Sequence, residues 1–159
     1  MTSLADREAF VARYAALFEH SPWVVHRAAA RLPFPNLHAG LMREVYEATP
    51  DEQLALIRAH PELAGKAAID GSLTEASQAE QASAGLDRLT PDEFDRFHAL
   101  NHAYAEKFGF PFIICVRLTN KAGILAAMEK RLANDRDTEI TTAIEQIGEI
   151  VRLRLEHLA

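Results

Sequence analysis

The chain has 159 residues, 17 of them basic and 23 acidic, which gives a formal charge of −6. This length supports one domain with a substantial core, and we expect a single domain over residues 1–159. The acidic balance offers no basic surface for phosphate backbones and argues against a nucleic-acid partner.

Cysteine content and hydropathy bear on the compartment. Cys115 is the single cysteine, so the chain can form neither an internal disulfide nor a CxxC redox pair, which favours a reducing compartment. The first residues, MTSLADREAF, are acidic where a secretory signal would be basic, and no stretch approaches the roughly 18 apolar residues of a membrane span. We therefore expect a cytoplasmic protein without a membrane partner.

Helix signals recur along the whole chain. An apolar stripe from Phe10 to Phe18 predicts the first helix, and Thr-Pro pairs followed by two acids, at Thr49 and Thr90, predict capped helix starts. Further predicted starts, in chain order, are Ser21, Asn36, Ser72 with Glu75 as a capping box, Thr119 or Asn120, and about Thr138 for the last helix. Only FPFIICV, residues 110–116, reads as extended, and it has no partner strand. The predicted fold class is all-α, with about seven to eight helices.

His60 is the first candidate for chemistry. It ends an amphipathic run and precedes Pro61, which disfavours helical backbone at the residue before it. A titratable ring is thereby placed at the end of a helix, where sites are often built. The alternative is a structural histidine that caps the last helix carbonyls.

A second candidate is the segment SLTEASQAEQASAGL. On a helix Ser77, Glu80 and Gln81 share one face, so a hydroxyl, a carboxylate and an amide point the same way past small neighbours. A solvated polar face is the alternative. Polar groups on a close-packed side need a reason, however, and the segment has few large apolar residues to form another buried stripe.

Arg154 follows Ile147 by seven residues and Val151 by three, which puts it beside the apolar stripe of the last helix. A buried arginine requires an anion, and either an internal carboxylate or a bound ligand would serve.

Metal and nucleotide sites have weak support. His98 and His102 form an i, i+4 pair, but HALNH lacks the glutamate of HExxH and suggests no third ligand. Cys115 lies between Ile114 and Val116 without a neighbouring cation and is interpreted as a small buried residue. No glycine-rich phosphate loop is present. We therefore expect no bound metal.

Three segments taken together resemble one family: HPELAGK at 60–66, SQAEQASAGL at 77–86 and LNHAYAEKFGFPFIICV at 100–116. They look like 2-oxo-4-hydroxy-4-carboxy-5-ureidoimidazoline (OHCU) decarboxylases, all-α enzymes of urate breakdown that yield (S)-allantoin. The IVRLRLEHL ending is also similar, and the arginine of the family falls on Arg154.

The resemblance implies a role for each matched residue. It makes His60 the catalytic proton-transfer residue and Glu80 its companion carboxylate. The implied substrate-binding residues are Pro61, Ser77, Gln81, Phe112, Ile113 and Arg154. It also implies an anionic ureidoimidazoline as the small-molecule substrate, no cofactor, and a homodimer.

Two other functions stay open from the residues alone. An enzyme on the same scaffold could hydrolyse a related ureido or cyclic amide compound, in which case water is taken up and no CO2 is released. A helical binding or dimerisation module could hold a ligand without turnover.

Overall fold

The structure is a computed structural model, and it describes residues 3–65 and 71–158. Within these ranges it contains eight α-helices, two short 3₁₀ helices and no strand, which confirms the predicted all-α class. The α-helices are α1 Leu4–Tyr14, α2 Trp23–Ala29, α3 Leu37–Tyr46, α4 Pro50–Arg58, α5 Glu75–Ser83, α6 Pro91–Phe108, α7 Lys121–Arg131 and α8 Arg136–Leu158, and the 3₁₀ helices are Ala15–Leu17 and Val116–Leu118. The last residue of the HPELAGK motif lies outside the described residues.

Local capping signals fix most helix starts. The Thr49 hydroxyl accepts from the Glu52 N–H while the Glu52 carboxylate accepts from the Thr49 N–H, and Thr90 forms the same capping box with Glu93. Each box satisfies two backbone donors that the first helical turn leaves open. Side-chain caps at Asn36 and Asn120 begin α3 and α7.

Two predicted starts are wrong by a short distance. The cap of α5 is Thr74, whose hydroxyl accepts from the Ser77 N–H, so the expected capping box of Ser72 and Glu75 does not begin this helix. Both residues carry a hydroxyl suited to capping, so the local sequence does not decide between them. The second helix begins at Trp23 with Pro22 at its cap position, one residue later than predicted.

The chain divides into two compact units. One is formed by Met1–Ala59 with Gly148–Ala159, and the other by the continuous stretch His60–Ile147. In the first unit α2 packs against both α1 and α3. The fully buried side chains of this unit include Phe18, Leu41, Leu56 and Ile57. In the second unit α6 packs against α7, and α5 packs against the 3₁₀ helix Val116–Leu118. That the whole chain forms one domain stays a prediction.

Membrane insertion is not indicated by the helices. No helix in the described ranges combines the length and the apolar character that crossing a bilayer requires.

Candidate functional site

His60 lies in the turn that follows α4, two residues after the helix ends at Arg58. Its side chain is buried, as the residue is 8% exposed, and Pro61 behind it is half-buried. Four residues further on, Ala64 has a φ of 53°, a left-handed conformation that residues with a Cβ rarely adopt. The turn is therefore a defined structure that other groups must hold in place.

Two side chains hold the backbone after His60. The Gln81 side-chain oxygen accepts from the Ala64 N–H at 3.0 Å, and its NH2 group donates to the Glu62 carbonyl at 3.4 Å. Asn101 on α6 donates from Nδ2 to the Leu63 carbonyl at 2.9 Å. Three consecutive residues are thus fixed by amide side chains from α5 and α6. We call this set, the residues 62–64 with Gln81 and Asn101, the turn clamp.

The polar face predicted on α5 points inward. Ser77 and Gln81 are each 5% exposed, and Glu80 is half-buried. The burial of Ser77 and Gln81 rules out a fully solvated polar face. Because α5 packs against Val116–Leu118, this helix lies next to the end of the FPFIICV segment.

Residues 110–115 of the FPFIICV segment belong to no helix or strand, whereas Val116, predicted to be extended with them, begins the 3₁₀ helix Val116–Leu118. Phe112 and Ile113 are 1% and 3% exposed. The Arg131 guanidinium stacks over the Phe112 ring, with its central carbon 4.2 Å from the ring centroid, and donates from Nη1 to the Ile113 carbonyl at 2.7 Å. The Gln146 side-chain oxygen accepts from the Cys115 N–H at 2.9 Å. Cys115 itself is buried, as expected.

A buried polar network supports this segment, and sequence reasoning did not find it. The Glu139 carboxylate, which is fully buried, accepts from Arg131 Nε at 2.8 Å, from the Tyr104 hydroxyl at 2.6 Å and from Asn134 Nδ2 at 2.9 Å. Burial and the hydrogen bond to Glu139 raise the pKa of the Tyr104 hydroxyl above its usual range. The residues are up to 35 positions apart along the chain, so no local pattern marks them.

Arg154 belongs to the other unit. It is buried, as helical phase predicts, and its Nη2 donates to the Glu19 carboxylate at 2.8 Å while Nη1 donates to the Leu17 carbonyl at 3.2 Å. Of the two anions that the sequence leaves open, the structure shows the internal carboxylate. Its role as a substrate contact stays a prediction.

The remaining candidate residues fall in the unit formed by His60–Ile147, which brings His60, Pro61, Ser77, Glu80, Gln81, Phe112 and Ile113 into one compact body. Their individual roles stay predictions. His98 and His102 lie exposed on α6, and His102 Nε2 is 3.2 Å from a Glu106 carboxylate oxygen. Within the described part of the chain, no group of three or more His, Cys, Asp or Glu residues is arranged to hold a metal ion.

The sequence and the fold of the chain have counterparts among known proteins. A family model described as OHCU decarboxylase matches residues 3–156. A relative from Haloferax volcanii named 2-oxo-4-hydroxy-4-carboxy-5-ureidoimidazoline decarboxylase is 41% identical over 153 residues, which cover 94% of this chain and 89% of that protein. This chain therefore belongs to the OHCU decarboxylase family, as its motifs predict.

Solved structures give the same fold. The crystal structure of an (S)-allantoin synthase has a TM-score of 0.72 at 28% identity, and the match covers 96% of this chain and 50% of that one, so this chain spans about half of its length. A crystal structure of OHCU decarboxylase in the presence of (S)-allantoin has a TM-score of 0.69 at 21% identity, with 91% and 95% of the two chains covered. The all-α fold expected from the resemblance is confirmed.

Proposed function

We propose that this protein decarboxylates 2-oxo-4-hydroxy-4-carboxy-5-ureidoimidazoline to (S)-allantoin in urate breakdown, without a cofactor. The observation that carries the proposal is the family match over residues 3–156. The buried position of His60 at the end of α4, in one compact unit with the inward polar face of α5, supports it.

The chemistry of the substrate explains why few protein groups are needed. Its carboxylate leaves from a ring carbon that also bears a hydroxyl, beside a carbon in a C=N double bond. When the C–C bond to the carboxylate breaks, CO2 departs and the released electron pair forms a C=C bond between the two ring carbons. The π pair of the C=N bond moves to its nitrogen, which takes up a proton. The hydroxyl then loses its proton and becomes a carbonyl, while the neighbouring carbon receives one. The substrate itself accepts the electrons, and the protein must orient it and direct the protons.

His60 is the group proposed to move the hydroxyl proton. An imidazole changes protonation near neutral pH and is therefore suited to accept a proton and return it within one turnover. Delivery of the second proton to one face of the ring gives the (S) product. Glu80, half-buried on α5, is proposed to orient His60 or to accept from the ureido and ring N–H groups.

The other predicted residues would surround the ring. Ser77 and Gln81 would contribute polar contacts, Pro61 would shape the turn, and Phe112 and Ile113 would line the pocket. An apolar wall beside the scissile carboxylate favours its loss as neutral CO2. Arg154 stays the predicted partner of a ring or ureido oxygen, because tight pairing with the carboxylate would stabilise the ground state and slow the reaction.

The assembly and compartment are part of the proposal. The resemblance supports a homodimer. The single cysteine, which is buried, supports a cytoplasmic location.

The direct test uses freshly generated substrate, made from urate with urate oxidase and hydroxyisourate hydrolase. Circular dichroism follows the appearance of allantoin with and without the protein. We expect rapid formation of a single (S)-allantoin signal with release of CO2. A slow drift to the racemate, equal to the blank, would contradict the decarboxylase and favour a binding module, while water uptake without CO2 would favour the hydrolase.

Variants at two histidines locate the chemistry. His60→Asn should lower kcat by about 10²–10⁴-fold, the usual contribution of a general acid-base group. His98→Asn makes the same change at an exposed histidine of the same unit and should retain wild-type kcat. Glu80→Gln should lower kcat and raise KM. Equal kcat in His60→Asn and wild type would remove His60 from the mechanism.

A further inference from the structure

We infer that Asn101 is a positioning residue for His60, acting through the turn clamp; this inference rests on the proposed function. Asn101 lies on α6, within the motif at 100–116. The resemblance gives it no role in the reaction, and it is not one of the predicted site residues. Its hydrogen bond to the Leu63 carbonyl, 2.9 Å long, reaches the third residue after His60.

The position of Asn101 is costly for a polar residue. It is 5% exposed on the buried side of α6, between Phe97 and Tyr104, where an apolar side chain of similar size would pack. Its Oδ1 has no hydrogen-bond partner among the described residues, so the donation to Leu63 is the bond that the structure gives this side chain. Burying an amide with an unsatisfied acceptor costs free energy, so the hydrogen bond that the amide donates should have a structural role that offsets this cost.

The role of the Asn101 hydrogen bond is to hold the backbone that follows His60. Ala64 holds a left-handed φ of 53°, which is unfavourable for alanine and persists only where surrounding groups enforce it. Gln81 bonds the Ala64 N–H and the Glu62 carbonyl, and Asn101 bonds the carbonyl between them. Without the bond from Asn101, the turn has an unmatched buried carbonyl and is free to relax. The imidazole, three residues earlier and separated by the rigid Pro61, would move with it.

Displacement of a proton-transfer group by about 1 Å is enough to lower a rate by about 10²-fold. Asn101→Leu removes the donor at similar volume, and Asn101→Asp keeps the shape but places an oxygen against the Leu63 carbonyl. The matched control is His102→Ala, one residue along on the exposed side of α6.

The expected result is a fall in kcat of about 10–100-fold in both Asn101 variants, with KM within about threefold of wild type. A role in stability alone would lower the melting temperature and the folded fraction, and would leave kcat per folded molecule unchanged. The His60 ring resonances, recorded by NMR, should shift or split in both variants. The Ala64 amide should exchange with solvent at least about tenfold faster. His102→Ala should match wild type in each of these measurements.

Unchanged kcat per folded molecule together with unchanged His60 resonances would overturn the inference, whatever happens to stability. The wild-type protein provides a check that needs no variant, because a rapidly exchanging Ala64 amide would show that the clamp does not exist. If the wild type fails to turn over OHCU, the proposed function fails, and the His60 resonances and the Ala64 exchange still decide whether Asn101 positions the ring.

Discussion

The ion pair between Arg154 and Glu19 is withdrawn from water, with side chains that are 7% and 2% exposed. Moving two charges into a protein interior costs several kcal/mol per ion, and their mutual attraction only balances this cost when both are present. The contribution of each residue to stability is therefore conditional on the other. Loss of either residue leaves the other as a buried charge without the opposite charge of the ion pair.

Glu19→Ala should lower the free energy of unfolding by about 3–5 kcal/mol, because the Arg154 charge stays buried without its carboxylate. Replacement of both residues, Glu19→Leu with Arg154→Met, should recover most of that loss, since no charge is then buried. Urea denaturation measures both values. The control is Arg152→Ala, which removes half-exposed pairs to Glu149 and Glu156 and should cost less than about 1 kcal/mol. A double variant as unstable as Glu19→Ala would contradict this account.

Arg154 also shows how far sequence reasoning reaches for one residue. Helical phase predicts an inward side chain, because the spacing to Ile147 and Val151 is a local property of the helix. The partner is not a local property. Glu19 lies 135 residues earlier, and only the folded chain brings the two together. The same holds for Gln81, whose burial was predicted and whose bonds to residues 62–64 were not.

At the scale of elements, α6, α7 and α8 meet at the fully buried Glu139 carboxylate. Arg131 comes from the end of α7, Tyr104 from the last third of α6, and Glu139 from the first turn of α8. Arg131 also donates a hydrogen bond to the Ile113 carbonyl, which fixes the FPFIICV segment to this junction. Three helices and the predicted pocket wall therefore share one polar junction.

Tyr104→Phe should lower the free energy of unfolding by about 1.5–3 kcal/mol, the usual value of a hydrogen bond to a charged group. The ring and its packing are retained, so the change reports the hydroxyl alone. Tyr46→Phe makes the same change at a side chain that is 58% exposed and should alter stability by less than about 0.5 kcal/mol. Equal effects of the two substitutions on urea unfolding would show that the bond to Glu139 has no energetic role.

The stability of the first unit depends on pH through Glu52, which lies in the first turn of α4. Hydrogen bonds from the Arg27 guanidinium and from the Thr49 N–H lower the pKa of Glu52 from 4.5 to about 2. A carboxylate whose pKa is lower in the folded state stabilises that state above its unfolded pKa, and the stabilisation is lost as pH falls through the folded value. The sensitive window is therefore about pH 4.5 down to about pH 2.

Glu52→Gln should weaken the decline in melting temperature between pH 5 and pH 2.5, since the titrating group is gone. Arg27→Met should have a similar effect, because Arg27 is the largest cause of the shift. Thr49→Ser keeps the cap and the backbone donor and should follow the wild-type curve. A decline as steep in Glu52→Gln as in wild type would show that other groups carry the acid sensitivity.

The reach of local signals is visible in the helix starts. Thr49 and Thr90 were predicted correctly because the residues of each capping box lie within four positions. Ser72 was wrong because Thr74, two positions on, also carries a capping hydroxyl, and local signals do not decide between the two. The junction at Glu139 was not predicted at all, since it is assembled from three helices.

At the scale of the whole molecule, the helix start signals were sufficient to predict the fold class, and the three motifs were sufficient to predict the family. The proposed homodimer remains to be measured. Size-exclusion chromatography with light scattering should give a mass of twice 17.7 kDa. A mass of 17.7 kDa at assay concentration would contradict the dimer and leave the proposed activity untouched.

The division of the chain into one continuous and one discontinuous unit has a consequence for biosynthesis. His60–Ile147 can form all of its own contacts before α8 is complete, whereas Met1–Ala59 lacks Gly148–Ala159 until those residues have been made. Glu19 waits for 135 further residues before Arg154 is made, which takes roughly 7–27 s at about 5–20 residues per second. Met1–Ala59 thus leaves the ribosome early but is completed only after His60–Ile147 has been made, and during that interval its incomplete apolar core is a natural target of chaperones.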